Sequence, residues 1–300
     1  MSVVHDLLVR LEEKENLNFA PFNKQEGHSN NRGIFVFDLP QEIINDFYGL
    51  REYIRIANKG GNIRVLSITS SLNGEGSSTI ATYLSFLMAG GLIKKDDNTR
   101  FPNDSEPLFS NDLRAIVNNR KKSNVVPLGS DQNSSGRAKI SGRNDILLVD
   151  ANLNLPSVHR YFDIDVENGL GEILEQNRDW RENLVPIQGS NLKIITAGKA
   201  DTKSVELFSS DRFRTMVRQW RNHFRHVIID SPPVLTSVES MSVASVSDGV
   251  ILIVCAGFTR WDSAQNAKRK LVATKANLLG VALNRQKMDI PDGLYGRLIA

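Results

Sequence analysis

The chain has 300 residues, 40% of them hydrophobic and 24% charged, with 37 basic and 34 acidic side chains for a formal net charge of +3. Ordinary globular composition excludes a low-complexity or collagen-like chain, and the near balance of charge argues against nucleic acid as the main partner. A single cysteine, Cys255, excludes an internal disulfide and points to a reducing compartment.

Residues 1–39 hold a short amphipathic stretch near 4–11 and then a polar segment, read as a flexible N-terminal arm. The opening is broken by Asp6, Arg10 and Glu12, which is neither a secretory leader nor a membrane span. A helix is predicted over 40–58, where Ile43, Ile44, Phe47, Leu50 and Ile54 recur at helical spacing between Pro40 and the Gly60–Gly61 pair. A strand over 63–69 runs into the glycine-rich turn SLNGEGSST, and a helix over 78–89 follows. The polar stretch 94–143 is too long for a structureless loop in a compact fold. It reads as a disordered insertion with one or two helical turns near 112–118.

Strands are predicted over 145–150, 192–196, 226–230, 249–255 and 278–283, with helices over 209–223 and 261–275. Apolar strands alternating with helices imply a three-layer α/β fold with a mostly parallel central sheet and helices on both faces. The domain proper is 40–290, with a tail over 291–300. Trp180, Trp220 and Trp261 lie near helices and read as packing residues, and His159 and His226 as surface or cap residues.

The turn sits where a phosphate loop must sit, between strand and helix. The pattern Gly-x4-Gly-Lys-Ser/Thr places Ser78 at the Mg²⁺-ligating hydroxyl and Ser77 at the lysine. Gly74 and Gly76 allow the backbone to turn its N–H groups around an anion, and the following helix adds its dipole. The candidate nucleotide-binding residues are therefore Asn73, Gly74, Glu75, Gly76, Ser77, Ser78 and Thr79. Two further strands end in carboxylates, Asp150 and Asp230. Ligands bind at the carboxyl ends of strands in open parallel sheets, so Ser78, Asp150 and Asp230 form the candidate metal set. If the protein is active, Asp150 and Asp230 are the candidate catalytic residues.

The ordered segments GEGSSTIATYLS, ILLVDANLNLPSVHRYF, ENGLGEIL, VIIDSPPVLTSVES, SDGVILIV and NLLGVALNR resemble the bacterial tyrosine kinases of capsule and exopolysaccharide synthesis, within the P-loop ATPase superfamily. The resemblance covers roughly 41–285. It implies ATP or ADP with Mg²⁺, with Asn284 and Arg285 at the positions that contact the base. It also implies a membrane-embedded polysaccharide chain-length or export protein as partner, a homo-oligomer, and a cytoplasmic location at the inner face of the membrane.

Four departures accompany it. Ser77 replaces the lysine. The family's Asp-x-Asp-x-Arg reads Asp150-Ala151-Asn152-Leu153-Asn154, and Asn152 cannot accept a proton at neutral pH. The Glu-x-x-Arg-x-x-Arg assembly motif is matched by Asn45, Tyr48 and Arg51, with only the last kept. The tyrosine-rich tail is reduced to Tyr295. The expectation is a kinase-like scaffold or regulator with weak or absent phosphotransfer. The alternatives are an active tyrosine autokinase or ATPase with an unusual loop, and a positioning ATPase.

Overall fold

The computed structural model describes residues 27–29, 35–39, 41–94 and 145–286. The amphipathic stretch 4–11, the helical turn expected at 112–118, nearly all of the 94–143 insertion and the tail with Tyr295 lie outside the described residues. In chain order the elements are β1 (Gly27–Ser29), β2 (Phe35–Asp38), α1 (Gln41–Ala57), β3 (Val65–Ser70), α2 (Ser77–Met88), β4 (Leu92–Lys94) and β5 (Ile146–Asp150). Then come α3 (Val158–Tyr161), α4 (Leu170–Glu175), β6 (Val185–Pro186), β7 (Leu192–Ile195), α5 (Ser204–Ser209) and α6 (Asp211–His223). The last described elements are β8 (His226–Asp230), α7 (Glu239–Val246), β9 (Gly249–Cys255), α8 (Trp261–Ala273) and β10 (Leu278–Asn284).

Seven strands form the main sheet in the order β10-β9-β3-β8-β5-β7-β6. Every pairing is parallel except β6 with β7. This is the α/β architecture expected from the apolar runs. A second sheet, in the order β1-β2-β4, pairs two strands from within the segment 1–39 with a strand that follows α2.

Side chains alternate across a strand, so each apolar run feeds two cores. Leu66, Ile68, Ile146, Leu148, Ile228 and Ile251 face α1 and α2. Val65, Leu147, Val149, Val227 and Ile229 face the other layer, where α6 contributes Phe213, Met216, Val217 and Trp220. Trp180 and Trp220 are buried as expected, but Trp261 is 75% exposed. As the first residue of α8 it points away from the stripe formed by Ala267 and Leu271.

Trp220 is fully buried, and its indole N–H has no hydrogen-bond partner among the described residues. Trp220→Ala is expected to cost about 3–5 kcal/mol in urea unfolding. Trp220→Phe, which keeps edge contacts with Trp180 and Phe213 and removes the orphan donor, is expected to cost clearly less.

Candidate functional site: a glycine loop beside two buried carboxylates

The loop between β3 and α2 takes its shape from two glycines in the left-handed region, Gly74 at φ +85° and Gly76 at φ +91°. Gly76 caps α2 and accepts the N–H of Ile80 at 3.0 Å. A Cβ on Gly76 would collide with the side-chain amide of Asn284. That amide donates to the carbonyl of Glu75 at 2.8 Å, so the end of β10 clasps the loop directly. Gly76→Ala is expected to cost about 1–2 kcal/mol from the backbone alone and to free the clasp, weakening any phosphate binding. Urea unfolding and a nucleotide titration measure the two effects.

Glu75 is fully buried, and its carboxylate turns back into the protein. One oxygen accepts the N–H groups of Ser71 and Leu72 at 2.6 and 3.0 Å, and the other accepts the Thr259 hydroxyl. Thr259 Oγ1 in turn accepts the Cys255 N–H at 2.8 Å. Burial pushes the Glu75 carboxyl up, against the pull of those three donors. Glu75 thus ties the loop to the end of β9.

Asp150 and Asp230 are register partners at the carboxyl ends of adjacent strands, β5 and β8, and both are fully buried. Asp150 is well served, accepting from the N–H groups of Asn152, Ser157 and Val158, each at 3.1 Å. Burial still pushes it up to about 6. Neither oxygen of Asp230 has a partner of hydrogen-bond geometry among the described residues. Burial first, and then the charge of Asp150, raise it well above the usual carboxylate range, while the Ser78 hydroxyl beside it pulls the other way.

The strand order explains the convergence. β8 lies between β3 and β5, so the loop, Asp230 and Asp150 gather at the carboxyl ends of adjacent central strands. The donor set fits a hard divalent cation that keeps several waters: two orphan carboxylate oxygens, a second carboxylate and the Ser78 hydroxyl. Ser77 is buried at the start of α2. Lys59 stands before β3, at the opposite end of that strand from the loop, and cannot serve as a substitute cation.

Thr79 shares a hydrogen bond of 2.7 Å with Tyr161. Asn73 is exposed. Asn284 is committed to the loop, and its Oδ1 accepts the Arg285 N–H at 2.9 Å. Asn152 caps its own turn by accepting the Leu155 N–H at 3.3 Å. Asn154, where the resemblance expects arginine, donates to buried Glu239 at 3.2 Å, and Ser204 donates to the same oxygen. Asn45 accepts from Gln41 at 2.9 Å, and the Arg51 guanidinium lies over the Tyr48 ring at 5.0 Å. Sequence reasoning missed Thr259 and Glu239. Thr259 lies in the turn after β9 and Glu239 opens α7, and neither position carries a local signal for its role.

The sheet, the glycine loop and the strand-end carboxylates define a P-loop α/β domain. Its homologues are bacterial tyrosine-protein kinases. The putative tyrosine-protein kinase CapB of Staphylococcus aureus is 24% identical over 195 residues, which is 62% of this chain and 85% of that protein. The tyrosine-protein kinase YwqD of Bacillus subtilis is 29% identical over 153 residues, 50% of this chain and 65% of that protein. No family model matches the chain.

Solved structures share the fold. The kinase domain of the Escherichia coli tyrosine kinase ETK superposes with a TM-score of 0.65 at 16% identity, covering 94% of this chain and 91% of that one. The chimerical protein CapA2B2 gives 0.60 at 22%, covering 82% and 86%. The septum site-determining protein MinD of Pyrococcus horikoshii, complexed with Mg-ADP, gives 0.50 at 17%, covering 79% and 77%.

Proposed function

We propose that this protein is a degenerate tyrosine-kinase-like scaffold or regulator of bacterial capsule or exopolysaccharide synthesis and export. It holds Mg-nucleotide weakly and transfers phosphate slowly or not at all. The observation that carries the reading is Ser77 at the head of α2, where the loop pattern calls for a lysine. A bound Mg²⁺ would offset the charge of the phosphate oxygens. The loop N–H groups orient those oxygens, and Ser78, Asp150 and Asp230 hold the cation. Asn152 takes no proton from an incoming hydroxyl.

The expected partner is a membrane-embedded chain-length or export protein, with assembly into homo-oligomers. The resemblance to the capsule kinases supports this. Among the described residues no helix is long and apolar enough to cross a membrane.

The second reading is an ATP-dependent tyrosine autokinase or ATPase, and one observation favours it: the carboxylate pair that would hold the cation is intact. Titration of a fluorescent ATP analogue with Mg²⁺, together with an anti-phosphotyrosine blot after incubation with Mg-ATP, separates the two. The scaffold reading expects weak binding and no label. Label accumulating on Tyr295 or on a partner at ordinary enzymatic rates would remove it.

A further inference from the structure

At the end of the sheet opposite Asp150 and Asp230, the strands begin around a cavity of about 540 Å³. Arg64 stands just before β3, and Arg225 and His226 open the neighbouring strand β8. The two strands are joined there by the Val227 N–H on the Arg64 carbonyl at 2.7 Å. Asn58 closes one wall and is fixed by a two-way bond with the backbone of Ile63, at 2.9 and 2.8 Å.

Three cationic or protonatable groups therefore face one concavity. Neither Arg64 nor Arg225 makes an ion pair among the described residues. The nearby carboxylates are committed elsewhere. Asp248 accepts the N–H groups of Arg64 and Val65, each at 2.9 Å, and pairs with the Arg221 guanidinium. Burial pushes the Asp145 carboxyl up, and the charge of Lys193 pulls it the other way. The His226 imidazole registers the imbalance: burial, then the charges of Arg225 and Arg64, hold it down to about 4, against a bond to the Ile63 backbone.

We infer that this cavity binds a phosphate-bearing anion, held between the guanidinium groups of Arg64 and Arg225 with His226 at its floor. Two planar guanidiniums present paired donors that match phosphate oxygens. The volume lies within the usual range for small-molecule sites, which suits a soluble phosphate compound or a single lipid headgroup. An anion there would answer the two guanidinium charges and favour the protonated imidazole of His226 beside them. The site is separate from the loop and does not depend on how the loop is read.

The test follows the His226 imidazole by NMR in the full chain, assigned with His226→Gln, with and without inorganic pyrophosphate. Pyrophosphate is expected to raise its titration midpoint by about one unit, a tenfold gain in proton affinity. Binding at the loop would not move this signal. In Arg64→Gln/Arg225→Gln the midpoint of the free protein rises and pyrophosphate moves it no further. Each single variant, checked by circular dichroism, gives a partial response.

Flotation with phosphatidylglycerol and phosphatidylcholine vesicles identifies the source. Arginine-dependent capture by the anionic vesicles alone assigns the site to a headgroup. A pyrophosphate response without capture assigns it to a soluble ligand. An unmoved His226 with no arginine-dependent capture overturns the inference, as does a response that survives in the double variant.

Discussion

Ser77→Lys raises the affinity for Mg-ATP by about ten- to a hundredfold, the worth of one charge-assisted hydrogen bond of roughly 1.5–3 kcal/mol. The loop that would receive the lysine is already shaped. Gly74 and Gly76 hold the left-handed turns, Asn284 clasps the Glu75 carbonyl, and the Glu75 carboxylate ties Ser71 and Leu72 down. The new ammonium therefore adds attraction without having to organise the backbone. Calorimetric titration of wild type and variant measures the gain.

Phosphotransfer behaves differently. Ser77→Lys alone leaves Asn152 where a base is needed, so phosphotyrosine is expected only when Asn152→Asp is added, and the single variants stay near background. An affinity left unchanged by Ser77→Lys would mean that the turn does not face a phosphate at all.

Asp230→Asn stabilises the ligand-free protein by about 1–3 kcal/mol at pH 7.5, because the amide removes a buried charge that no hydrogen bond answers and that Asp150 repels. The gain disappears near pH 4. A carboxyl raised in the folded state binds its proton more tightly there than in the unfolded chain. Its contribution is therefore complete below the ordinary carboxylate range and is lost as pH rises through the folded value. Asp150 follows the same sign between 3.8 and about 6. That shift corresponds to about 3 kcal/mol lost by pH 7 in the absence of a cation.

His226 runs the opposite way over an overlapping window. Its value of about 4 adds stability above 6.5 and withdraws it as pH falls. Wild type is therefore compared with Asp230→Asn at each pH, which cancels the histidine. Urea unfolding at pH 4, 5.5 and 7.5 shows the difference opening as pH rises. Millimolar Mg²⁺ raises the stability of wild type at pH 7.5 and leaves the variant unmoved, because the cation replaces the proton that the pair lacks. Equal curves at every pH would mean that the two carboxylates do not burden each other.

Much of this was legible along the chain because it is local. Apolar runs such as Asp145–Asp150 and Gly249–Cys255 can only be strands buried on both faces, and they form β5 and β9. The glycines fix the loop, and the pattern itself marks Ser77 and Ser78. Other features were legible only in part. The helix expected over 209–223 appears as α6, but a separate turn, α5, precedes it because Ser210 breaks out to cap Phe213. The small helices α3, α4 and α7 carry too few apolar repeats for periodicity to find.

By itself the sequence determined which residues end strands, which turn bends around an anion, and which side chains that turn lacks, since each depends on neighbours a few positions away. Only the tertiary structure decided which strands lie side by side. β8 enters between β3 and β5 although some eighty residues separate the latter pair in the chain, and nothing in periodicity encodes that order. That insertion presses Asp230 against Asp150 at the carboxyl ends of the strands and gathers Arg64, Arg225 and His226 at their amino ends. On the other side of β3, the neighbours β9 and β10 bring Thr259, which nothing in the sequence singles out, and Asn284 onto the loop.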